Sequence, residues 1–144
     1  MPGVLLDTGP LVAYLYPRDA HHDWAVGQFA MVDPPFLTCE PVLTETCFLI
    51  ARNRQSTARV FHLLDAGVIR LAFAMAEELP ALQALTVRYA NVPMSLADAC
   101  LVRMAERTGW PICTLDADFM IYRAHGRNAL DVIAPHRALG LHEP

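Results

Sequence analysis

There is no lysine in this 144-residue chain; all eleven basic residues are arginine. That absence excludes the phosphate-holding lysine of a Walker A loop, Schiff-base chemistry and the lysine a receiver domain needs. Arginine, with its planar fork, is left as the only permanent cation for phosphate contacts. Cysteine is also sparse: Cys39, Cys47, Cys100 and Cys113 form no CxxC pair and sit in apolar segments. They read as reduced, buried thiols rather than a disulfide frame or a zinc site. No apolar run approaches the ~18 residues of a membrane span, and the start lacks the basic flank and cleavage pattern of a secretory signal, so a cytoplasmic chain with no membrane partner is expected. No repeat, low-complexity tract or linker interrupts it, which predicts a single domain over residues 1–144. Fifteen acids against eleven arginines leave a net charge of -4, the wrong sign for coating nucleic acid by bulk electrostatics. What is abundant is apolar: 54% of residues are hydrophobic and 18% charged, enough for a substantial core and for an apolar dimer surface.

Periodicity predicts an α/β chain. Val4 to Leu6 read as a buried strand ending on Asp7, with Thr8-Gly9-Pro10 opening a helix over 10–16. A second helix is expected over 19–32, with Trp24, Val26, Phe29 and Ala30 on its apolar face; His21 and His22 lack the i, i+4 spacing of paired ligands and read as surface residues. Asp33-Pro34-Pro35 is a turn and 36–38 a strand. Pro41 opens a helix reaching about Asn53, and 56–65 reads as another, followed by Gly67 and a strand over 68–71. Residues 76–89 form an amphipathic helix with Pro80 in its first turn, where it is tolerated. Ser95 and Asp98 fit a capping box for a helix closed by Gly109. A strand over 112–115 precedes a short helix around 119–122, and 130–133 supplies an edge strand.

Four acids stand out. Asp7 and Asp116 follow apolar strands, at the end of an open sheet where ligands bind, although each also suits a helix cap. Glu45 has Val42, Phe48 and Leu49 at helical spacing, which predicts a carboxylate on the apolar face with a cation beside it. Glu40 competes, but its place before Pro41 suits a helix start. Asp98 lies three and four residues before Leu101 and Val102, turning it inward. Asp118 stands beside Asp116. Gathered without a cation these acids would repel and some would take up protons. An all-oxygen donor set suits Mg²⁺ or Mn²⁺ rather than zinc, and such a site suits phosphodiester cleavage.

In the order LLDTGPLVAYL (5–15), PVLTETCFLI (41–50), SLADACLVRMAE (95–106) and TLDADF (114–119), the chain resembles the PIN-domain ribonucleases, in the style of the VapC-type toxins of type II toxin–antitoxin pairs. The resemblance implies an α/β/α sandwich with a central parallel sheet and no nucleotide-binding GxGxxG, in keeping with the absence of that motif after the first strand. It implies Asp7, Glu45, Asp98 and Asp116 as the catalytic acids, Asp7, Asp98, Asp116 and Asp118 as metal ligands, and Thr8 and Thr114 as their hydrogen-bonding supports. It further implies an RNA substrate, Mg²⁺ or Mn²⁺, a homodimer and a cognate antitoxin that blocks the site. RNA contacts would fall to arginines such as Arg18, Arg52, Arg54 and Arg123.

Two other readings are open. A phosphatase using Asp7 as nucleophile would want an acid two residues on, where this chain has Gly9. A non-catalytic PIN-like binding or dimerisation module would leave a cluster of inward-facing carboxylates unused, which is destabilising.

Overall fold

The computed structural model describes residues 3–135. The apolar run expected first in the chain forms β1 (Val4–Leu6), buried along its whole length. Around it lies a five-stranded sheet in the order β3-β2-β1-β4-β7, with β2 at Phe36–Thr38, β3 at Ile69–Leu71, β4 at Ile112–Cys113 and β7 at Val132–Ile133. Every pairing in this sheet is parallel. Six helices flank it among the described residues: α1 (Thr8–Leu15), α2 (His22–Met31), α3 (Glu40–Arg52), α4 (Ala58–Asp65), α5 (Leu79–Arg88) and α6 (Leu96–Thr108).

Side-chain alternation along the strands divides the core in two. Leu5, Leu37 and Ile112 face α5 and α6, packing with Leu82, Leu85, Leu101 and Met104. Val4, Leu6, Phe36, Ile69 and Cys113 face the other way, against Leu11 and Leu15 of α1, Ile50 of α3 and Val60 of α4. This is the α/β/α sandwich that the resemblance implies. At roughly 1.5–3 kcal/mol per fully buried large apolar side chain, the two layers supply most of the folding drive.

The order of strands places the site. From β1 the chain winds outward to β2 and β3, then α5 and α6 carry it back across β1 to β4. The winding therefore reverses between β1 and β4, and the crevice beyond the carboxyl ends of those two strands is where an open α/β sheet receives ligands.

Several expectations need correction. The first helix starts at Thr8, ahead of Pro10, because Asp7 caps it; α2 starts only at His22 and buries Ala25, while Val26 and Ala30 face solvent. Glu40 is the first residue of α3, with Cys39 at its cap. The helix expected over 76–89 is a 3-10 turn (Met75–Glu77) followed by α5, with Pro80 in its first turn. The final strand is shorter than expected, and an antiparallel hairpin, β5 (Arg123–Ala124) with β6 (Asn128–Ala129), precedes it. Gly109 closes α6 in the left-handed region at φ 72°, as a C-terminal glycine does. All four cysteines are free thiols, and three are buried.

Candidate functional site

Beyond β1 and β4 opens a cleft of about 540 Å³, lined by Asp7, Thr8, Gly9, Glu45, Pro93, Ser95, Asp98, Leu115, Asp116, Ala117 and Asp118. Among the described residues five carboxylates border it and no arginine or histidine does. All five acids singled out from the sequence are brought together here.

Each is positioned by a local device. Asp7 continues β1, its backbone N–H donating to the carbonyl of Cys113 at 3.0 Å. One carboxylate oxygen accepts from the backbone N–H of Thr8 at 2.8 Å, the other from the Thr114 hydroxyl at 2.7 Å. The same hydroxyl oxygen accepts from the backbone N–H of Asp116 at 2.9 Å, so Thr114 ties the ends of two neighbouring strands together. Asp98 rides the first turn of α6, where the Ser95 hydroxyl accepts from its backbone N–H at 3.0 Å. Its side chain points inward and accepts from the hydroxyl of Tyr122 at 2.8 Å. Asp116 caps the short 3-10 turn Ala117–Met120 by accepting from the N–H of Asp118 at 2.9 Å. Capping and site placement coexist at Asp7 and Asp116.

Glu45 departs from expectation. The buried stripe of α3 is Val42, Thr46 and Ile50; Glu45 lies about 100° round the helix from that stripe's centre and is exposed. Phe48, expected beside it in the core, is also exposed. Among the described residues no arginine pairs with Glu45. Its partner is the Thr8 hydroxyl, which donates to it at 2.9 Å.

Burial and mutual repulsion set the electrostatics. Asp7 is 6% exposed, and desolvation pushes its carboxyl from 3.8 up to about 7, with the charges of Asp98 and Asp116 adding to the rise and the Thr114 and Thr8 hydrogen bonds opposing it. Asp98 is raised chiefly by burial, against the Tyr122 hydrogen bond, and Asp118 by burial and then the charge of Asp116. Tyr122, wholly buried, is raised by burial and by the carboxylate it serves. Among the described residues no basic side chain lines the cleft to relieve this charge.

The donors are carboxylate and hydroxyl oxygens, which fits a hard divalent cation. Asp7, Asp98, Asp116 and Asp118 are the cleft aspartates that could supply such oxygens. Among the described residues, however, no three His, Cys, Asp or Glu side chains stand close enough to form a ready coordination shell, so the more exposed acids would have to draw inward. A hollow of about 580 Å³ elsewhere, lined by Leu37, Phe73, Met104 and Arg107 among others, lacks this tension. Its Glu78 is held below the usual carboxylate range by Arg103 and Arg107.

None of the four arginines named for RNA contact lines the cleft. Arg18 follows the far end of α1, ~12 Å along that helix from Thr8. Arg52 and Arg54 lie at the exposed end of α3 and just past it. Arg123 donates to the carbonyls of Met120 and Tyr122 at 2.8 and 3.1 Å. Tyr122 was not anticipated as part of the site. Its one legible signal is that a tyrosine in an apolar setting needs a hydroxyl partner, with Asp116 and Asp118 shortly before it in sequence.

Strand order, sheet direction and the place of the acids define the class: an α/β fold whose switch-point crevice is built as an anionic pocket. The chain belongs to the PIN domain family, whose model matches residues 4–125. Among solved structures it is similar to VapC20 of Mycobacterium tuberculosis, described as a sarcin-ricin loop cleaving toxin, with a TM-score of 0.67 and 23% identity over 76% of this chain and 87% of that one. Likeness at that identity bears on the fold. No curated protein matches the chain.

Proposed function

We propose that this chain is a single-domain, metal-dependent endoribonuclease and the toxin of a toxin–antitoxin pair. The observation that carries the reading is the convergence of Asp7, Glu45, Asp98, Asp116 and Asp118 on one cleft that, among the described residues, no arginine or histidine lines. Family membership and the likeness to a ribonuclease toxin support it. The cofactor in this reading is Mg²⁺ or Mn²⁺, held by Asp7, Asp98, Asp116 and Asp118; when bound it supplies Lewis-acid polarisation of the phosphate and an acidified water.

The chain's own residues then have distinct tasks. Thr114 fixes one oxygen of Asp7 and Tyr122 one oxygen of Asp98, leaving the remaining lone pairs for ligation. Asp116, which borders the cleft, has one oxygen on the Asp118 N–H and in this reading offers the other as a ligand. Glu45, exposed and steadied by Thr8, takes the proton from the attacking water. Gly9 argues against the phosphatase alternative: it stands where the second acid would be, and a Cβ there would meet the Leu115 side chain at a tight 3.1 Å. A cytoplasmic homodimer and an antitoxin that covers the cleft complete the proposal. No helix among the described residues is long and apolar enough to cross a membrane.

The absence of a ready three-ligand shell favours one rival, a non-catalytic PIN-fold module. The test is cleavage of a mixed pool of single-stranded and structured RNAs with Mn²⁺ or with EDTA, comparing the native chain with Asp98→Asn. Metal-dependent cutting lost in the variant is expected. No cutting, together with no Mn²⁺ binding by calorimetry, would establish the silent module instead.

A further inference from the structure

An exposed stripe of α3 runs away from the cleft. Glu45, which borders the cleft, is followed at i+3 by Phe48 and at i+7 by Arg52, and these three fall within about 60° of one another around the helix. Phe48 is 62% exposed, and its neighbours on the outward face, Thr44 and Ala51, are too short to cover the ring. The Arg52 guanidinium lies over that ring, 5.5 Å from its centroid. It forms no ion pair among the described residues.

An exposed phenylalanine with a cation above it combines the two elements that single-stranded nucleic acid uses, an aromatic face for an unpaired base and a charge for the phosphate. A base locked in a duplex could not reach the ring. Electrostatics point the same way: a polyanion entering a cleft of five carboxylates on a chain of net charge -4 needs cations at the rim. On α3 itself Phe48 is the exposed large apolar side chain, bracketed along the helix by Glu45 and Arg52.

We propose that Phe48 and Arg52 form a nucleotide subsite for single-stranded RNA beside the acidic cleft, the ring stacking an unpaired base and the guanidinium holding the adjoining phosphate. This rests on the ribonuclease reading of the cleft.

The test uses the full chain in EDTA, so that RNA is bound without being cut, and reads anisotropy of a short labelled oligoribonucleotide, single-stranded or annealed to its complement. Phe48→Ala is expected to weaken single-strand binding about 10-fold with the duplex unaffected, and Phe48→Trp to restore it. Arg52→Gln is expected to lower the slope of log affinity against log salt by about 0.7. Unchanged affinity in Phe48→Ala, beside metal-dependent cleavage by the native chain, would overturn the subsite and leave the nuclease standing. A native chain that neither binds nor cuts RNA would overturn both. A Phe48→Ala variant with native RNA affinity but a smaller oligomer by light scattering would reassign the ring to a protein interface.

Discussion

Asp7→Asn should stabilise the metal-free protein at neutral pH while abolishing cleavage. The folded carboxyl titrates near 7 rather than 3.8, chiefly because it is buried. For an acid raised on folding, the folded state holds a proton that the unfolded chain has released, so native stability falls as pH climbs from about 4 to about 7 and then levels off. The shift of about three pK units is a ceiling of ~4 kcal/mol at pH 8. Asparagine does not titrate and escapes this loss. Against the gain stands an amide NH₂ facing a site shaped for two acceptor oxygens, with hydrogen bonds from Thr8 and Thr114 to recover, at about 1–2 kcal/mol. The net expectation is a variant about 1–3 kcal/mol more stable at pH 8, or roughly 3–8 °C in Tm, with the advantage shrinking by about 2–3 kcal/mol at pH 5. Thermal unfolding followed by circular dichroism in EDTA, at both pH values, reads this directly. A variant less stable than the native chain at pH 8, or a difference that ignores pH, would refute the view that Asp7 is held in an environment hostile to its charge.

Tyr122→Phe keeps the packing against Phe119 and Tyr89 but strips a donor from buried Asp98; kcat is expected to fall about 10-fold with little change in fold, checked by RNA cleavage and circular dichroism. Thr114→Val, nearly isosteric, removes the link between Asp7 and the Asp116 backbone and is expected to cost about 1–3 kcal/mol in urea unfolding at pH 7. Glu78→Gln breaks the contacts with Arg103 (2.6 Å) and Arg107 far from the cleft. Because the folded pKa of Glu78 is depressed, its contribution is present above pH 4.5 and lost as pH falls through the folded value; the variant's Tm deficit should therefore shrink in acid while its activity per folded molecule stays native. Adding Mn²⁺ to the metal-free native chain should raise Tm, since a ligand of the folded state alone stabilises it, and Asp7→Asn should blunt that rise.

The parts of this architecture legible in the sequence are those written locally. Val4-Leu5-Leu6 halting on Asp7, and Ser95 with Asp98 ahead of Leu101 and Val102, announce a strand end and an inward-facing first turn within a handful of residues. The sheet's strands are two or three residues long, so the apolar runs bounded β1 and β2 but overran β3, β4 and β7 and did not separate the β5–β6 hairpin from β7. Glu45 shows the limit most clearly. Val42 and Leu49 suggested an inward carboxylate, but the helix is buried along Val42, Thr46 and Ile50, and a polar Thr46 in that stripe hid the true centre of the face. Tyr122 was out of reach for another reason: its bond to Asp98 spans 24 residues, and no spacing rule connects a residue after one turn to the first turn of a different helix.

The cleft acids divide into two tiers, and the division bears on how the site works. Asp7 and Asp98 are buried, and each has an oxygen pinned by a buried hydroxyl, that of Thr114 or Tyr122. Glu45 and Asp116 are exposed and Asp118 half-buried, on the outer flank of α3 and on a short turn. Burial makes the inner pair costly to ionise, so in the proposed reading it is the pair whose charge gains most from a cation, while the outer acids are the more accessible side chains. In the proposed reading a cation held by the inner pair would draw the outer carboxylates toward it. Freezing the inner tier with Asp98→Asn and loosening the outer with Asp118→Ala should accordingly differ: the first removes metal-induced stabilisation almost entirely, the second only lowers apparent Mn²⁺ affinity. Equal effects in a thermal titration would mean that the tiers are not distinct.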